Sequence, residues 1–326
     1  MTQLARISLI PATGRYRWGW LVLALFASPW GCATMGDLGQ SLVPTRYQVR
    51  TGPFLIYSNT PITSDWPAIR CLHALETDLS THLGYQVRAG EEPVEIYVLT
   101  NRNAYLHFLR FYYPELPPRR AFFLAQGARR VVYTYLSDRL EEDLRHEATH
   151  ALAHGCYGDL PLWLDEGLAE YFETHPEAID ARDEHLTKLP EDLKQGWAPD
   201  LPRLESLTDI HQMSPRDYRE SWGWVHLLLA SDGPGKSVLL DYLDQTRAGK
   251  GKKTLSQILT ARGITGKTLL AHLDKVQSSV LARNPEPPTG DHLIRFQDLP
   301  SEPVVVRSSP PPRMSLFKRV GSWLGF

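Results

Sequence analysis

The sequence predicts an α+β domain in which a small mixed β-sheet precedes a helix with a metal-binding motif, and a helical subdomain follows. Three observations predict this class. Runs rich in β-branched and aromatic residues, typical of strands, lie at 54–58, 94–99 and 130–135. Apolar residues recur at helical spacing between and after these runs. The pattern His-Glu-x-x-His at 146–150 lies within one of the helical segments.

The N-terminal segment, residues 1–32, has the three regions of a signal peptide in order: basic, apolar and small residues. Its apolar run, residues 18–26, is shorter than the roughly 20 residues that a membrane-spanning helix needs. The Gly31-Cys32 pair resembles the end of a bacterial lipobox, which implies a lipoprotein with Cys32 lipidated. Cleavage after Ala33 and retention as an anchor stay open as alternatives. Each predicts a protein of the bacterial cell envelope, lipid-anchored, secreted or periplasmic.

A linker at 33–46 then leads into the predicted domain, residues 47–283. Apolar residues from Ile69 to Leu83 form a helical stripe that ends at Gly84. A second helix is predicted from Arg102 to Tyr112. The run 130–135 is the last strand before the helix with the motif.

In the motif, His146 and His150 are four residues apart, so both imidazoles can face one metal ion from the same side of a helix. Glu147 is placed to touch a metal-bound water, as a general base would. Asp138 with Glu141 three residues later predicts a capping-box start. Gly155 predicts the end of this helix.

Zinc usually takes a third protein ligand. His154 is eight residues from His146, about 12 Å along a straight helix, which is too far for one ion. The helix predicted next after the motif, over 161–172, contains Glu166 and Glu170, one turn apart. One of these carboxylates can bind the metal while the other accepts an N–H from a ligating histidine.

The motif followed by Trp-Leu-Asp-Glu-Gly-Leu-Ala-Glu-Tyr at 163–171 resembles the gluzincin (peptidase MA-like) zinc metallopeptidases, which include thermolysin, over roughly residues 47–280. The resemblance implies that His146, His150 and Glu166 bind Zn²⁺, that Glu147 activates water and that Glu170 orients a histidine. Glu166 follows His150 by 16 residues, a shorter spacing than in the related aminopeptidases, so their specificity does not transfer.

The same resemblance implies two further features of the site. A strand at the edge of the cleft would pair with extended substrate, and Val131–Tyr135 is the candidate. A tyrosine or histidine from a later helix, here predicted to start at Ser214-Pro215, would stabilise an oxyanion. Tyr218 and His226 are the candidates, and packing of either ring in the core is the alternative.

The remaining features concern partners. The formal net charge of -2 argues against a nucleic-acid surface. The Gly-Lys-Ser and Gly-Lys-Thr sequences at 235–237 and 266–268 follow helical stretches, so they predict turns and no nucleotide site. The sequence does not decide whether Cys71 and Cys156 form a disulfide. Residues 284–326 form a Pro-rich tail with a short amphipathic C-terminal segment.

Together these observations predict a zinc peptidase of the bacterial cell envelope, with a peptide or protein substrate and an N-terminal membrane anchor. Two alternatives stay open. One is a catalytically inactive binding or scaffold protein on a peptidase fold, and the other is a zinc amidase that acts on cell-wall material.

Overall fold

The computed structural model describes residues 42–283, except 64, 89, 115, 117–118, 176–178, 180–182, 230–234 and 251–252. The predicted signal peptide with Cys32, most of the linker and the Pro-rich tail lie outside these residues. The strands are β1 (Tyr47–Thr51), β2 (Phe54–Ser58), β3 (Val94–Leu99), β4 (Phe122–Gln126) and β5 (Arg129–Tyr135). The helices are α1 (Pro67–Leu83), α2 (Arg102–Tyr112), α3 (Leu140–Tyr157), α4 (Leu162–Glu173), α5 (Glu184–Lys194), α6 (Leu201–Ser206), α7 (Pro215–Leu229), α8 (Gly235–Arg247), α9 (Leu255–Ala261) and α10 (Gly266–Arg283). No helix among these combines the length and the apolar character needed to cross a bilayer.

The five strands form one mixed sheet in the order β1-β2-β3-β5-β4. The central strands β2, β3 and β5 are parallel, and β1 and β4 pair antiparallel at the two edges. Strand β5 is therefore interior, and the prediction that Val131–Tyr135 is the edge strand is wrong. The edge strand on that side is β4, a short segment that the sequence pattern does not predict as a strand.

The sheet separates two hydrophobic layers because side chains alternate between its faces. Ile96 and Val132 point to the layer that includes α1 and α3. Tyr97 and Tyr133 point to the opposite layer, which α2 covers. On that face the rings of Tyr57, Tyr97 and Tyr133 stack in a row, with centroids 4.8 and 5.3 Å apart.

Helix α3 differs at both ends from the prediction. It begins at Leu140 after Arg139, with no side-chain cap, so the predicted capping box at Asp138 is not formed. The helix continues through Gly155 to Tyr157, and Gly158, at φ 74°, follows its last residue. A Cβ on Gly155 would overlap the guanidinium of Arg130, so this glycine provides room for a buried arginine and does not end the helix.

Helix α4 packs against α3 on one side and against α7 on the other. The contact with α7 is close because residue 167 is glycine. A Cβ at Gly167 would lie 2.7 Å from the backbone oxygen of Ser221 and 2.9 Å from Val225. The backbone of α7 cannot easily move aside to make room for a Cβ atom, whereas the end of a flexible side chain can.

Replacing Gly167 by alanine should therefore destabilise the domain by about 1 to 3 kcal/mol, because α7 must move away from α4. Urea unfolding measures this difference. Gly223→Ala is the matched control: its added Cβ would have ordinary contacts of 3.5 Å or more, so the helix propensity of alanine should leave it as stable as the wild type or more so. Equal stability of the two variants would contradict the prediction.

Candidate metal centre

Helix α3 brings the two histidines of the motif together. His146 and His150 are one turn apart, and their Nε2 atoms lie 3.3 Å from each other. His150 is buried, and His146 is partly exposed toward solvent. Two imidazole nitrogens at this distance can share one proton in a hydrogen bond, or both can face one metal ion.

Helix α4 adds a carboxylate to this pair. Glu166 Oε2 lies 3.8 Å from Nε2 of His146 and 3.7 Å from Nε2 of His150. This oxygen is buried and has no hydrogen-bond partner among the described residues. A buried carboxylate oxygen without a partner is costly, and a metal cation between this oxygen and the two imidazoles would satisfy it.

The three atoms fit the size of a zinc ion. A point equidistant from the two Nε2 atoms and Glu166 Oε2 lies about 2.1 Å from each, and zinc bonds to imidazole and carboxylate measure about 2.0–2.2 Å. Nitrogen and oxygen donors of this kind also suit zinc chemically. The residues predicted as metal ligands are therefore the ones that the fold brings together.

Behind the candidate ligands, each histidine has a carboxylate near its other nitrogen. Glu173 Oε2 lies 3.0 Å from Nδ1 of His146, within hydrogen-bond distance. Asp165 Oδ2 lies 3.0 Å from Nδ1 of His150, although the angle is not that of a hydrogen bond. Such partners fix the orientation of a ligating imidazole and raise its basicity.

These carboxylates govern the pKa values of both imidazoles. Burial by itself opposes the charged form, but the hydrogen bond that His146 donates to Glu173 and the charges of nearby glutamates outweigh it and raise the pKa of His146 to about 10. Burial also opposes the charged form of His150, but the negative charges of Asp165 and Glu166 outweigh it and raise the pKa of His150 to about 9. An imidazole must be neutral to bind a metal ion, so metal binding at this site would release protons.

Glu170 has a different position from the predicted one. Its Oε2 lies 2.9 Å from Nε2 of His185, and Glu173 is the residue whose carboxylate is hydrogen-bonded to His146. The ring of His185 stacks on Trp222 with centroids 4.5 Å apart. Glu166, Glu170 and Glu173 follow the spacing i, i+4 and i+7 of one helix face, so this spacing could have identified Glu173. His185 has no such signal, because only the fold brings α5 to α4.

Glu147 and Tyr218 both lie at the site. Glu147 is 8% exposed on α3, and its charge contributes to the raised pKa of His146. Burial, together with the charge of Glu166, raises the pKa of Tyr218 on α7 to about 12, and the positive charge of Arg119 opposes the rise.

His226 lies elsewhere. Its Nδ1 is 2.8 Å from Nε2 of His272 on α10, and its ring packs against Trp222 and Tyr171. Burial and the neighbouring His272 lower its pKa to about 4, a change that the charge of Asp183 opposes. Of the two predicted candidates for an oxyanion-stabilising group, Tyr218 interacts electrostatically with Glu166, and His226 lies in a histidine pair.

The histidine pair predicts a pH dependence of stability. The pKa of His226 is about 4 in the folded protein and 6.5 as its ordinary value, so between these pH values the unfolded chain binds a proton that the folded chain does not. The free energy of unfolding should therefore fall as the pH drops from about 6.5 to about 4, by at most about 3 kcal/mol from this group. Urea unfolding of wild type and His226→Gln across this range measures it. The variant should lose less stability, and parallel pH profiles would contradict the prediction.

The two cysteines of the described region are both free and buried. Cys71 Sγ lies 3.3 Å from the backbone oxygen of Glu141, near the first turn of α3, and Cys156 is in the last turn of the same helix. They are separated by the length of α3, so the disulfide that the sequence left open is not formed.

His154 is the histidine that the sequence excluded as a metal ligand. Its Nε2 atom lies 3.3 Å from Oδ1 of Asp159.

No family model matches this chain. The chain is similar to curated proteins named DNA replication complex GINS protein PSF3. It is 26% identical to the Homo sapiens protein over 138 residues, which is 42% of this chain and 58% of the relative. It is 26% identical to the Bos taurus protein over 131 residues, which is 40% of this chain and 55% of the relative. It is also 26% identical to the Mus musculus protein over 162 residues, which is 50% of this chain and 62% of the relative. The chain thus matches less than two thirds of the length of these relatives.

These comparisons contradict the prediction of a gluzincin peptidase. The three relatives are named as proteins of a DNA replication complex, and none of the three is named as a peptidase, a hydrolase or a lipoprotein. The predicted enzyme, its peptide substrate, its membrane anchor and its location in the bacterial cell envelope are therefore wrong. The motif misled because His-Glu-x-x-His fixes only how two histidines and a glutamate share a helix, which is a property of a metal site and not of one reaction.

Proposed function

We propose that this protein is a zinc-binding subunit of a protein complex, and that the zinc ion is a docking point for a segment of a partner. His146, His150 and Glu166 would hold the ion. The observation on which this proposal depends is the buried oxygen of Glu166, which faces two imidazole nitrogens and has no other partner among the described residues.

Three protein ligands leave one position of a four-coordinate zinc for a further ligand. A bound zinc ion would supply positive charge to attract such a ligand. The chain itself orients His146 through its hydrogen bond with Glu173, and Asp165 lies beside the other nitrogen of His150. On the open side, His146 is partly exposed, so a group from another molecule can reach the site.

The edge of the sheet supports a docking role beside the metal centre. On one side β4 pairs with β5, and no described strand lies on its other side. The ring of Phe123 on β4 stacks on His150, with centroids 6.4 Å apart. An unpaired strand edge is a template for an extended segment of a partner. The similarity to proteins of a DNA replication complex supports the part of the proposal that concerns assembly.

Elemental mass spectrometry of the purified full-length protein tests the zinc site. We expect about one zinc per chain after zinc reconstitution and dialysis, and less than a tenth of that in Glu166→Ala, because two histidines alone bind zinc weakly. Absence of zinc from the reconstituted wild type, or full zinc content in Glu166→Ala, would contradict the proposal.

A further inference from the structure

We propose that the C-terminal end of α2 binds an acidic segment of the partner that carries aromatic side chains. The surface consists of Arg110, Phe111 and Tyr112, and we call it the α2 patch. The inference rests on the docking role in the proposed function, because the α2 patch adjoins the β4 edge. It does not require the zinc ion.

Two neighbouring aromatic rings of the α2 patch are exposed to solvent. Phe111 is 67% exposed and Tyr112 is 45% exposed. Among the described residues, Val87 is the one other large apolar side chain with such exposure. The rings of Phe111 and Tyr112 pack edge to face with centroids 4.9 Å apart, so they form one continuous surface. Contiguous exposed apolar surface is typical of binding sites for other proteins, whereas single exposed residues are not.

A row of rings joins the α2 patch to the edge of the sheet. The ring centroid of Tyr113 lies 6.5 Å from that of Tyr112 and 5.5 Å from that of Phe122. Phe122 is the first residue of β4 and belongs to the layer that α2 covers. The next residue, Phe123, faces the opposite way and stacks on His150. An extended segment paired with β4 would therefore direct alternate side chains to the aromatic layer and to the metal centre.

The charges beside the rings select an acidic partner. From residue 102 to residue 120 the sequence has four arginines and one glutamate. Arg110 is exposed in the last turn of α2, next to Phe111. Among the described residues Arg110 has no carboxylate partner, whereas Arg120 pairs with Asp143 at 2.8 Å. Carboxylates of a partner would give Arg110 the opposite charge that the described part of its own chain does not provide.

A peptide fits this surface better than a single-stranded nucleic acid does, although both can use arginine and exposed rings. The β4 edge has backbone N–H and C=O groups that an extended peptide can pair with. A nucleic acid instead needs a track of free positive charge for its phosphates. Arg129, on the same side of the sheet, is already bound to Glu95 through two hydrogen bonds of 2.8 and 2.7 Å.

Fluorescence anisotropy with labelled octapeptides tests this inference on the full-length protein, with and without bound zinc. The probe is acetyl-Asp-Trp-Asp-Val-Glu-Phe-Glu-Val-amide. One comparison peptide has Asn and Gln in place of the acids, and the other has Ser in place of Trp and Phe. We expect the probe to bind at least about tenfold more tightly than either comparison peptide, because each lacks one of the two kinds of contact. The preference should be present in both forms of the protein.

The variants then assign the binding to the α2 patch. Phe111→Ser combined with Tyr112→Ser should weaken binding of the probe at least about tenfold. Arg110→Glu should weaken the probe to a similar degree and leave the peptide without acids unchanged, because only the acids meet the reversed charge. Val87→Ser is the matched control, since it removes an exposed apolar side chain between α1 and β3 and should keep the wild-type affinity. Urea unfolding verifies that the variants, all at exposed positions, stay folded.

The possible failures are distinguishable. Equal affinity for the three peptides, or wild-type affinity in the double variant, overturns the inference. Tighter binding of a labelled oligothymidylate that the double variant loses would assign the patch to single-stranded nucleic acid. A dimer in analytical ultracentrifugation that the double variant abolishes would assign it to a second copy of this chain. A protein that discriminates the peptides but holds no zinc supports this inference and contradicts only the metal part of the proposed function.

Discussion

Zinc is expected to raise the melting temperature of the metal-free protein by about 10 °C. An ion that binds only the folded state stabilises it by about 4 kcal/mol at a free concentration a thousand times its dissociation constant. One kcal/mol corresponds to about 2–4 °C for a domain of this size. The expected effect is large because a bound ion would join α3 to α4 and give the buried oxygen of Glu166 a partner. Differential scanning calorimetry with and without zinc measures it.

The variants for this measurement come from the same helices. Glu166→Ala should abolish the rise, because it removes the candidate ligand that α4 contributes. His154→Ala is the matched control: it removes a histidine of α3 that faces Asp159, and it should keep the full rise. A rise of equal size in Glu166→Ala would show that zinc binds elsewhere, and no rise in the wild type would contradict the site.

Glu220→Ala should destabilise the protein by about 3–5 kcal/mol, because it leaves buried donors without an acceptor. Glu220 is 1% exposed and lies at the centre of the helical subdomain. Its carboxylate accepts hydrogen bonds from Nε1 of Trp197 and the backbone N–H of Asp200, both at 2.7 Å, and from Nε1 of Trp224 at 3.3 Å. Burial raises the pKa of this carboxyl, and these hydrogen bonds oppose the rise.

Urea unfolding compares this variant with Glu191→Ala. Glu191 is an exposed partner of Lys188 at 3.3 Å, and loss of such a pair changes stability by less than about 1 kcal/mol. We also expect Glu220→Ala to keep its zinc site when folded, since the described partners of Glu220 lie outside α3 and α4. A loss of less than about 1 kcal/mol in Glu220→Ala would show that water replaces the carboxylate.

Much of the local structure could be predicted from the sequence because it depends on short-range spacing. The strands at 54–58 and 94–99, the helix from Arg102 to Tyr112 and the helix start at Pro215 lie where the pattern of apolar residues, proline and glycine predicts them. The same reasoning holds for His146 and His150, since a helix alone brings residues four apart to one face.

Features that depend on contacts between distant segments could not be predicted in this way. The interior position of β5, the role of β4 as an edge strand and the position of His185 follow from the order of strands and the packing of helices. Gly155 resembled a helix end, yet a buried arginine from the sheet explains it. Nor could the motif predict the protein's function, because a reaction depends on a whole site and not on one turn of helix.

The sequence by itself thus determined which residues can share one side of a helix: His146 and His150 on α3, and Glu166 with Glu170 and Glu173 on α4. Only the tertiary structure decided that Glu166 meets the two histidines, that Glu173 and not Glu170 is hydrogen-bonded to His146, and that His226 pairs with His272. The physical reason is that side-chain spacing within a helix is fixed by its 3.6-residue turn, whereas the approach of two helices depends on every residue packed between them.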